Sequence, residues 1–563
     1  MKEKIGRILS SKYIDFTFYL AYFAAAIYIS VGRDFWYDEV AWTVRFVHKK
    51  SMLTMLKELS ESLYNLPLHY VVINLFYRIS HSQVWLRIPS ILASLGAVYY
   101  TQKFIVKHYG AKYRLLAYIL FISAPLMFHI ALQVRPYAFM LFFAAMSYYY
   151  YYERLANDKW KNIIVFGFIL TFLEYSHWYG GLLIACYGLT DFYLWVRKRV
   201  RFRCIVSYVM CFILFLPWMI AVVLNHYYDF QTYWGVAKSY GFILRILYCI
   251  TGSQIVTFFV LSAAMYALYI MLFRRSVTGE KFVIEPLCHI CLIVWGMWTV
   301  MWTYGRLVPQ GSLIEVRYFF VCIPLLVILL TAFVRSGILQ TTVARVVNHI
   351  CEKKFFEPVF LSVVAVVVSC VISIHAKPIV PEFYGYQKLL QEMRNDVQSN
   401  KRVLFLWLCE FFWDYYDENI GNIDVATHYL FSTKQYSEKF SFKKLDVKDK
   451  KQVLDFLRIN QENLEILKKS DCVTAMRHFS EYEKKKIYYT YKDNKKEEVI
   501  SSYGDFCKYD VIYIDTRFWL RFNNLKTFIG TYYDIIPYDR ATKVNHVDKL
   551  VRKTQKKSAK LKD

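Results

Sequence analysis

The densest chemistry in this chain lies close to its start. In VGRDFWYDEVAW (31–42), Arg33, Asp34, Asp38 and Glu39 follow directly on an apolar run. Charges at a membrane boundary are costly and are usually kept for a purpose. Asp38 can take a proton from an incoming nucleophile or help to hold a metal, and Arg33 can face a phosphate. The competing reading is that Asp38 and Glu39 merely open a helix, where acidic residues are favourable.

Five further segments carry polar groups between apolar stretches. LYNLPLHYVV (63–72) has His69 just after Pro67, a residue suited to a first helical turn. LRIPSIL (86–92) holds Arg87, whose simplest role is to snorkel toward water. In ALQVRPYAFML (131–141), Arg135 needs water, a lipid phosphate or a carboxylate as partner. EYSHWYGGLL (174–183) brings Glu174, His177, Trp178 and Tyr179 to one turn, where His and Trp suit sugar hydroxyls and a sugar ring. GSLIEVRYFFVCIP (311–324) offers Glu315 and Arg317, the latter a phosphate partner. Each segment alone suits a structural role. All but Arg87 converge on one face of a membrane, which suits a polar site.

These residues need a membrane scaffold, and composition predicts one. Of 563 residues, 56% are hydrophobic, 19% aromatic and only 20% charged. A soluble chain cannot hide that much apolar surface, and neither a disordered nor a collagen-like chain has this composition. Seventy Lys and Arg stand against 44 Asp and Glu, a net charge of +26. The basic residues sit mainly between apolar runs, as topology signals, and also suit an anionic lipid surface or a phosphate-bearing substrate. After a short basic start, the run 13–31 reads as a first spanning helix rather than a removed signal peptide. Further runs fall at 66–80, 85–105, 115–133, 136–152, 162–176, 178–195, 204–224, 255–273, 286–304, 318–334 and 359–376. They predict about twelve crossings, with ten to thirteen allowed.

Basic clusters at 103–114, 154–161, 197–203 and 274–281 mark inner loops, so the turns at 133–136, 176–180, 225–254 and 305–317 lie outside together with loop 32–65. Parity fails at one place. An odd number of crossings is required between loop 32–65 and the 103–114 cluster, yet two runs stand there. Either the 66–80 run is short or re-entrant, or the charge rule fails at that loop, and the side of Arg87 depends on the answer.

From about residue 380 the chain changes character. KRVLFLWL (401–408), IDVATHYLF (423–431) and DVIYIDTR (510–517) read as strands, and residues 445–459 read as a helix. The alternation predicts a small α/β domain. The expected organisation is a transmembrane domain over 1–380 with loop 32–65 as its catalytic outer loop. A soluble, extracytoplasmic α/β domain follows over 381–545, and a basic tail over 546–563. Most of the 12 cysteines lie in or beside apolar runs and read as small buried hydrophobes. Cys409, Cys472 and Cys507 allow one disulfide with a spare thiol, or none.

The ordered series Asp38-Glu39, Pro67-Leu68, LRIPS (86–90), SAP (123–125), VRPYA (134–138), SHWYG (176–180) and RYFFVCIP (317–324) resembles the GT-C superfamily of membrane glycosyltransferases. The likeness is to the group of protein O-mannosyltransferases and lipid A aminoarabinose transferases, and it covers about residues 13–334. It implies a multi-pass α-helical membrane fold with a C-terminal extracytoplasmic α/β domain. It also implies transfer of a monosaccharide (hexosyl or pentosyl) from a polyprenyl-phosphate donor to a glycan, glycolipid or protein at the outer face, usually with inversion. Asp38 matches the essential carboxylate of the first outer loop, with Glu39 beside it. Some relatives carry Lys-Pro-Pro-Leu where this chain has Asn65-Leu66-Pro67-Leu68. The donor phosphate is then left to Arg135, Arg317 or His69, with Arg33, His177 and Tyr179 as further substrate-binding residues. A divalent Mg or Mn ion is compatible with the residues but not demanded by them. The expected setting is a bacterial plasma membrane and cell-envelope polysaccharide synthesis. Rival classes are a polysaccharide polymerase or ligase and a lipid-linked sugar transporter. The sequence names neither sugar, acceptor nor subunit number.

Overall fold

The computed structural model describes residues 12–31, 34–35, 37–61, 65–123, 129–225, 320–335, 386–407, 423–427, 488–492, 495–500, 508–515, 533–537 and 547–553, with single positions at 296, 299 and 303. Arg33, Arg317, the runs at 255–273, 286–304 and 359–376, the helix expected at 445–459 and Cys409, Cys472 and Cys507 lie outside the described residues. The chain divides into two compact units, one of residues 1–33 and 46–380, the other of 34–45 and 381–563.

In the first unit the apolar runs form helices: α1 (Lys12–Ser30), α2 (Met52–Ser60), α3 (Pro67–Tyr77), α4 (Gln83–Tyr109), α5 (Arg114–Ser123), α6 (Tyr137–Ala156), α7 (Trp160–Ser176), α8 (Tyr179–Val196), α9 (Ile205–Asn225) and α10 (Ile323–Arg335). Boundaries follow local chemistry. Ser51 caps α2 by accepting from the Thr54 backbone N–H at 3.1 Å, and Pro67 sits at the first position of α3. α4 packs along α6, and α7 packs against α6 and α9. Gly96 permits the close approach of α4 to α6, since a Cβ there would lie 2.4 Å from the Phe142 ring. One continuous apolar core runs through α4 to α8 and α10.

The outward faces are apolar too. Phe16, Tyr28, Leu189, Phe212, Ile213, Val223 and Leu224 are exposed, a distribution suited to lipid rather than water. Among the described residues one helix, Phe202–Leu224, is long and apolar enough by itself to cross a membrane, with a mean hydropathy of 2.4. Ile14–Ser30 and Phe320–Ala332 are shorter apolar helices.

α3 has 11 residues, about 16 Å at 1.5 Å per residue, or half of the ~30 Å hydrocarbon thickness. α4 has 27 residues and reaches about 40 Å. Of the two runs that broke the crossing parity, only α4 is long enough to span.

The second unit holds α11 (Tyr386–Gln398) and seven strands: β1 (Val403–Trp407), β2 (Ile423–Thr427), β3 (Tyr488–Lys492), β4 (Lys495–Ile500), β5 (Val511–Asp515), β6 (Tyr533–Pro537) and β7 (Val547–Arg552). They form one sheet in the order β4-β3-β2-β1-β5-β7-β6. β1 pairs in parallel with β2 and β5, and the outer strands are antiparallel. VLFLW and VIYID are the near-continuous apolar runs of strands at the centre of a sheet. Val403, Leu404 and Val511–Ile514 are buried.

Residues 547–552, which the sequence reading assigned to the basic tail, are β7, lying between β5 and β6. Lysines obscured its alternation. Leu550 is fully buried, while Lys549 reaches Glu392 and Asp396 of α11 at 2.9 and 2.7 Å.

Candidate functional site

The Asp38 segment belongs to the second unit. Tyr37–Glu39 is a helical turn that widens into a π-helical turn at Val40–Val44 and returns to α-helix at Arg45–Val47. π-turns occur often at functional sites because they redirect side chains within a helix. Asp38 and Glu39 lie inside the first turn, and Glu39 makes no side-chain bond that caps the π-turn. Both residues therefore stand where the helix-opening alternative puts them, in a first helical turn. Asp34 and Glu39 are buried at 4% and 2% exposure, whereas Asp38 is partly exposed.

In the first unit, four of the expected binding residues come together. His69, near the start of α3, is fully buried, with the Val134 backbone beside its ring. Its ring meets Tyr70 and Phe139 edge-on at 5.5 and 5.3 Å. The Arg135 guanidinium lies close enough to act on it electrostatically. Arg135 stands in the turn before α6, where Pro136 stops the preceding backbone and N-caps the helix. Its Nη2 donates to the Tyr137 hydroxyl at 3.5 Å, and its guanidinium sits 5.6 Å from the Tyr137 ring centre.

Tyr137 then meets His177 at 5.6 Å and Phe320 at 5.9 Å between ring centroids. His177 ends α7 in extended backbone and accepts at Nδ1 from the Tyr179 N–H at 3.3 Å. The His177 and Tyr179 rings are 5.5 Å apart. Asn65, which stands in the place of the relatives' Lys, accepts from the Tyr70 hydroxyl at 2.6 Å. It is thus engaged in shaping the start of α3.

Sequence reasoning missed Tyr137, the residue that joins these groups. Its position two residues after Arg135, within the VRPYA motif, was the available signal. Arg87 differs from expectation. It is fully buried and donates from Nη1 to the Ser30 carbonyl at 3.4 Å, at the C-terminal end of α1, where a cation is favourable. It does not snorkel.

Solved structures align with this chain at low identity. ArnT from Cupriavidus metallidurans bound to undecaprenyl phosphate aligns with 97% of this chain and 99% of its own, at 9% identity and a TM-score of 0.49. The apo form aligns with 71% and 83%, at 11% identity and a TM-score of 0.45. An oligosaccharyltransferase from Archaeoglobus fulgidus, solved with Zn and sulfate, aligns with 72% and 62%, at 12% identity and a TM-score of 0.35. No protein-family model matches this chain, and no curated protein does.

Among the described residues, no three His, Cys, Asp or Glu side chains come together as a metal's ligands.

Proposed function

We propose that this protein transfers a monosaccharide from a polyprenyl-phosphate donor to a cell-surface glycan, glycolipid or protein at the outer face of a bacterial plasma membrane, with inversion at the anomeric carbon. The observation that carries the reading is the cluster of His69, Arg135, Tyr137, His177 and Tyr179. It sets a buried guanidinium and a buried imidazole beside aromatic and polar groups. A guanidinium and a histidine suit a phosphate, and aromatic faces with nearby polar groups suit a sugar.

In this reading Arg135 and His69 hold the donor phosphate, with Arg317 as a further partner. They stabilise the charge that gathers on the phosphate as it leaves. Asp38 accepts the proton of the acceptor hydroxyl while its oxygen attacks the anomeric carbon. The new glycosidic C–O bond forms as the C–O bond to phosphate breaks, and polyprenyl phosphate departs with that electron pair. Glu39 supports the Asp38 segment, and Arg33 faces lipid or donor phosphate. His177 and Tyr179 contact the sugar. The shortness of α3 supports a single crossing, by α4, between loop 32–65 and the 103–114 loop. Arg87 then belongs to the outer end of α4. The C-terminal α/β domain lies on the same outer face.

The test uses purified full-length protein and its Asp38→Asn variant in nanodiscs. Each is incubated with a panel of undecaprenyl-phosphate monosaccharides and with membrane extract as acceptor source. Loss of lipid-linked sugar is followed by mass spectrometry. Turnover by the wild type and none by a folded D38N is the expected result. Turnover of no donor by the wild type would reject the reading and turn attention to lipid-diphosphate oligosaccharides, the substrates of a polymerase.

A further inference from the structure

The mechanism leaves one acidic group without a role. Glu174 lies on the last turn of α7, three residues before His177. Its Oε2 is buried and has no hydrogen-bond partner among the described residues. Polar oxygens in such places are ordinarily satisfied, because burying one unpaired costs stability. The facing position on α8 is Gly181. A Cβ there would fall 2.9 Å from Oε2 and 3.1 Å from Oε1, so the carboxyl would have to turn aside. Glycine at 181 therefore gives this carboxyl its room.

The location narrows what the carboxyl can receive. It lies one turn below His177, whose ring packs on Tyr137, and Tyr137 in turn accepts from Arg135. If Arg135 and His69 hold the donor phosphate, the ring bonded to that phosphate extends toward His177, Tyr179 and Glu174. A carboxyl oxygen accepts hydrogen bonds from hydroxyls.

We propose that Glu174 is a sugar-recognition residue, its carboxyl accepting a hydrogen bond from a hydroxyl of the transferred sugar, with Gly181 leaving that carboxyl its place. This rests on the donor reading above and adds the residue that distinguishes a sugar-bearing donor from bare lipid phosphate.

The experiment measures equilibrium binding to full-length protein in nanodiscs. The probes are undecaprenyl phosphate and the undecaprenyl-phosphate sugar turned over fastest by the wild type, and the variants are Glu174→Ala, Glu174→Gln and Gly181→Ala. Thermal unfolding and gel filtration establish that each is folded, and G181A preserves the carboxyl should E174A fail to fold. The expected result is a loss of about 3- to 10-fold for the sugar-bearing lipid in E174A, the effect of one hydrogen bond. The loss should be smaller in E174Q, G181A should also lose affinity, and binding of undecaprenyl phosphate should be unchanged. Equal weakening toward both lipids, or none toward either, would overturn the role of Glu174. A wild type that binds neither lipid would instead overturn the donor assignment itself.

Discussion

Replacing Asp191 by Asn should loosen the helical unit by an amount the structure allows to be worked out. Asp191, on α8, receives the guanidinium of Arg154 from α6 and the hydroxyls of Tyr151 at 3.0 Å and Tyr208 at 2.7 Å. Arg154 is fully buried. Its remaining contacts are the Cys204 carbonyl at 3.5 Å and the rings of Tyr151 and Phe166 at 5.0 and 4.7 Å. Asn keeps the shape and one acceptor oxygen but removes the countercharge. Breaking a buried ion pair on one side costs about 3–5 kcal/mol, and a hydrogen bond between membrane helices averages about 0.6 kcal/mol. A loss of about 4 kcal/mol follows, roughly a 700-fold shift in the unfolding equilibrium.

Adding Arg154→Met removes the stranded charge and fills its space, and should restore at least about 2 kcal/mol. Denaturant unfolding in detergent, read by tryptophan fluorescence on both single variants and the double variant, gives the coupling directly. If the double variant loses the sum of the single losses, the two residues are not energetically paired and the reasoning fails. Tyr137 and Tyr179 begin the same two helices, about 25 and 18 Å away along their axes. Folded D191N should therefore keep the wild-type KM for donor.

Three further outcomes are expected. Arg135→Gln should raise KM for a polyprenyl-phosphate donor at least about tenfold, since it removes a charge-assisted phosphate contact; an unchanged donor KM with normal kcat would reject that role. Gly96→Ala should cost about 1–3 kcal/mol, because its Cβ meets the Phe142 ring at 2.4 Å, a loss visible as earlier denaturant unfolding.

In the sheet unit, burial raises the Asp396 carboxyl's pKa, but bonds from Lys401, Lys549 and Tyr513 outweigh it and leave Asp396 below its usual range. Burial lowers Lys549, but its bonds to Asp396 and Glu392 outweigh that and leave it raised. Asp396 therefore contributes stability above about pH 4 that is lost as pH falls through its lowered pKa. Lys549 contributes stability below about pH 10.5 that is lost as pH rises through its raised pKa. Hydrogen-exchange protection factors of β5 and β7 should be largest between these limits, and a flat profile at both extremes would argue against the cluster.

Much of this architecture is written in the sequence, because the membrane and the sheet interior each impose a strong local pattern. Apolar runs marked α1, α4 and α6 to α10 to within a few residues and the start of α5, Pro67 fixed the start of α3, and VLFLW and VIYID marked the central strands. His69, Arg135, His177 and Tyr179 could be picked out because a polar group in an apolar run is conspicuous. Other features had no local signal. Lysines hid β7, whose place depends on pairing with strands elsewhere in the chain. Arg87 looked free to reach water until α1 placed the Ser30 carbonyl against it. Tyr137 was one of 49 tyrosines. Its importance comes from helix packing, which sets Arg135, His177 and Phe320 around it. The sequence determines which segments leave water and which polar groups go with them, since transfer free energy acts residue by residue. Only the tertiary structure decides which of those groups meet, because meeting depends on the helix packing that brings distant segments within a few ångströms.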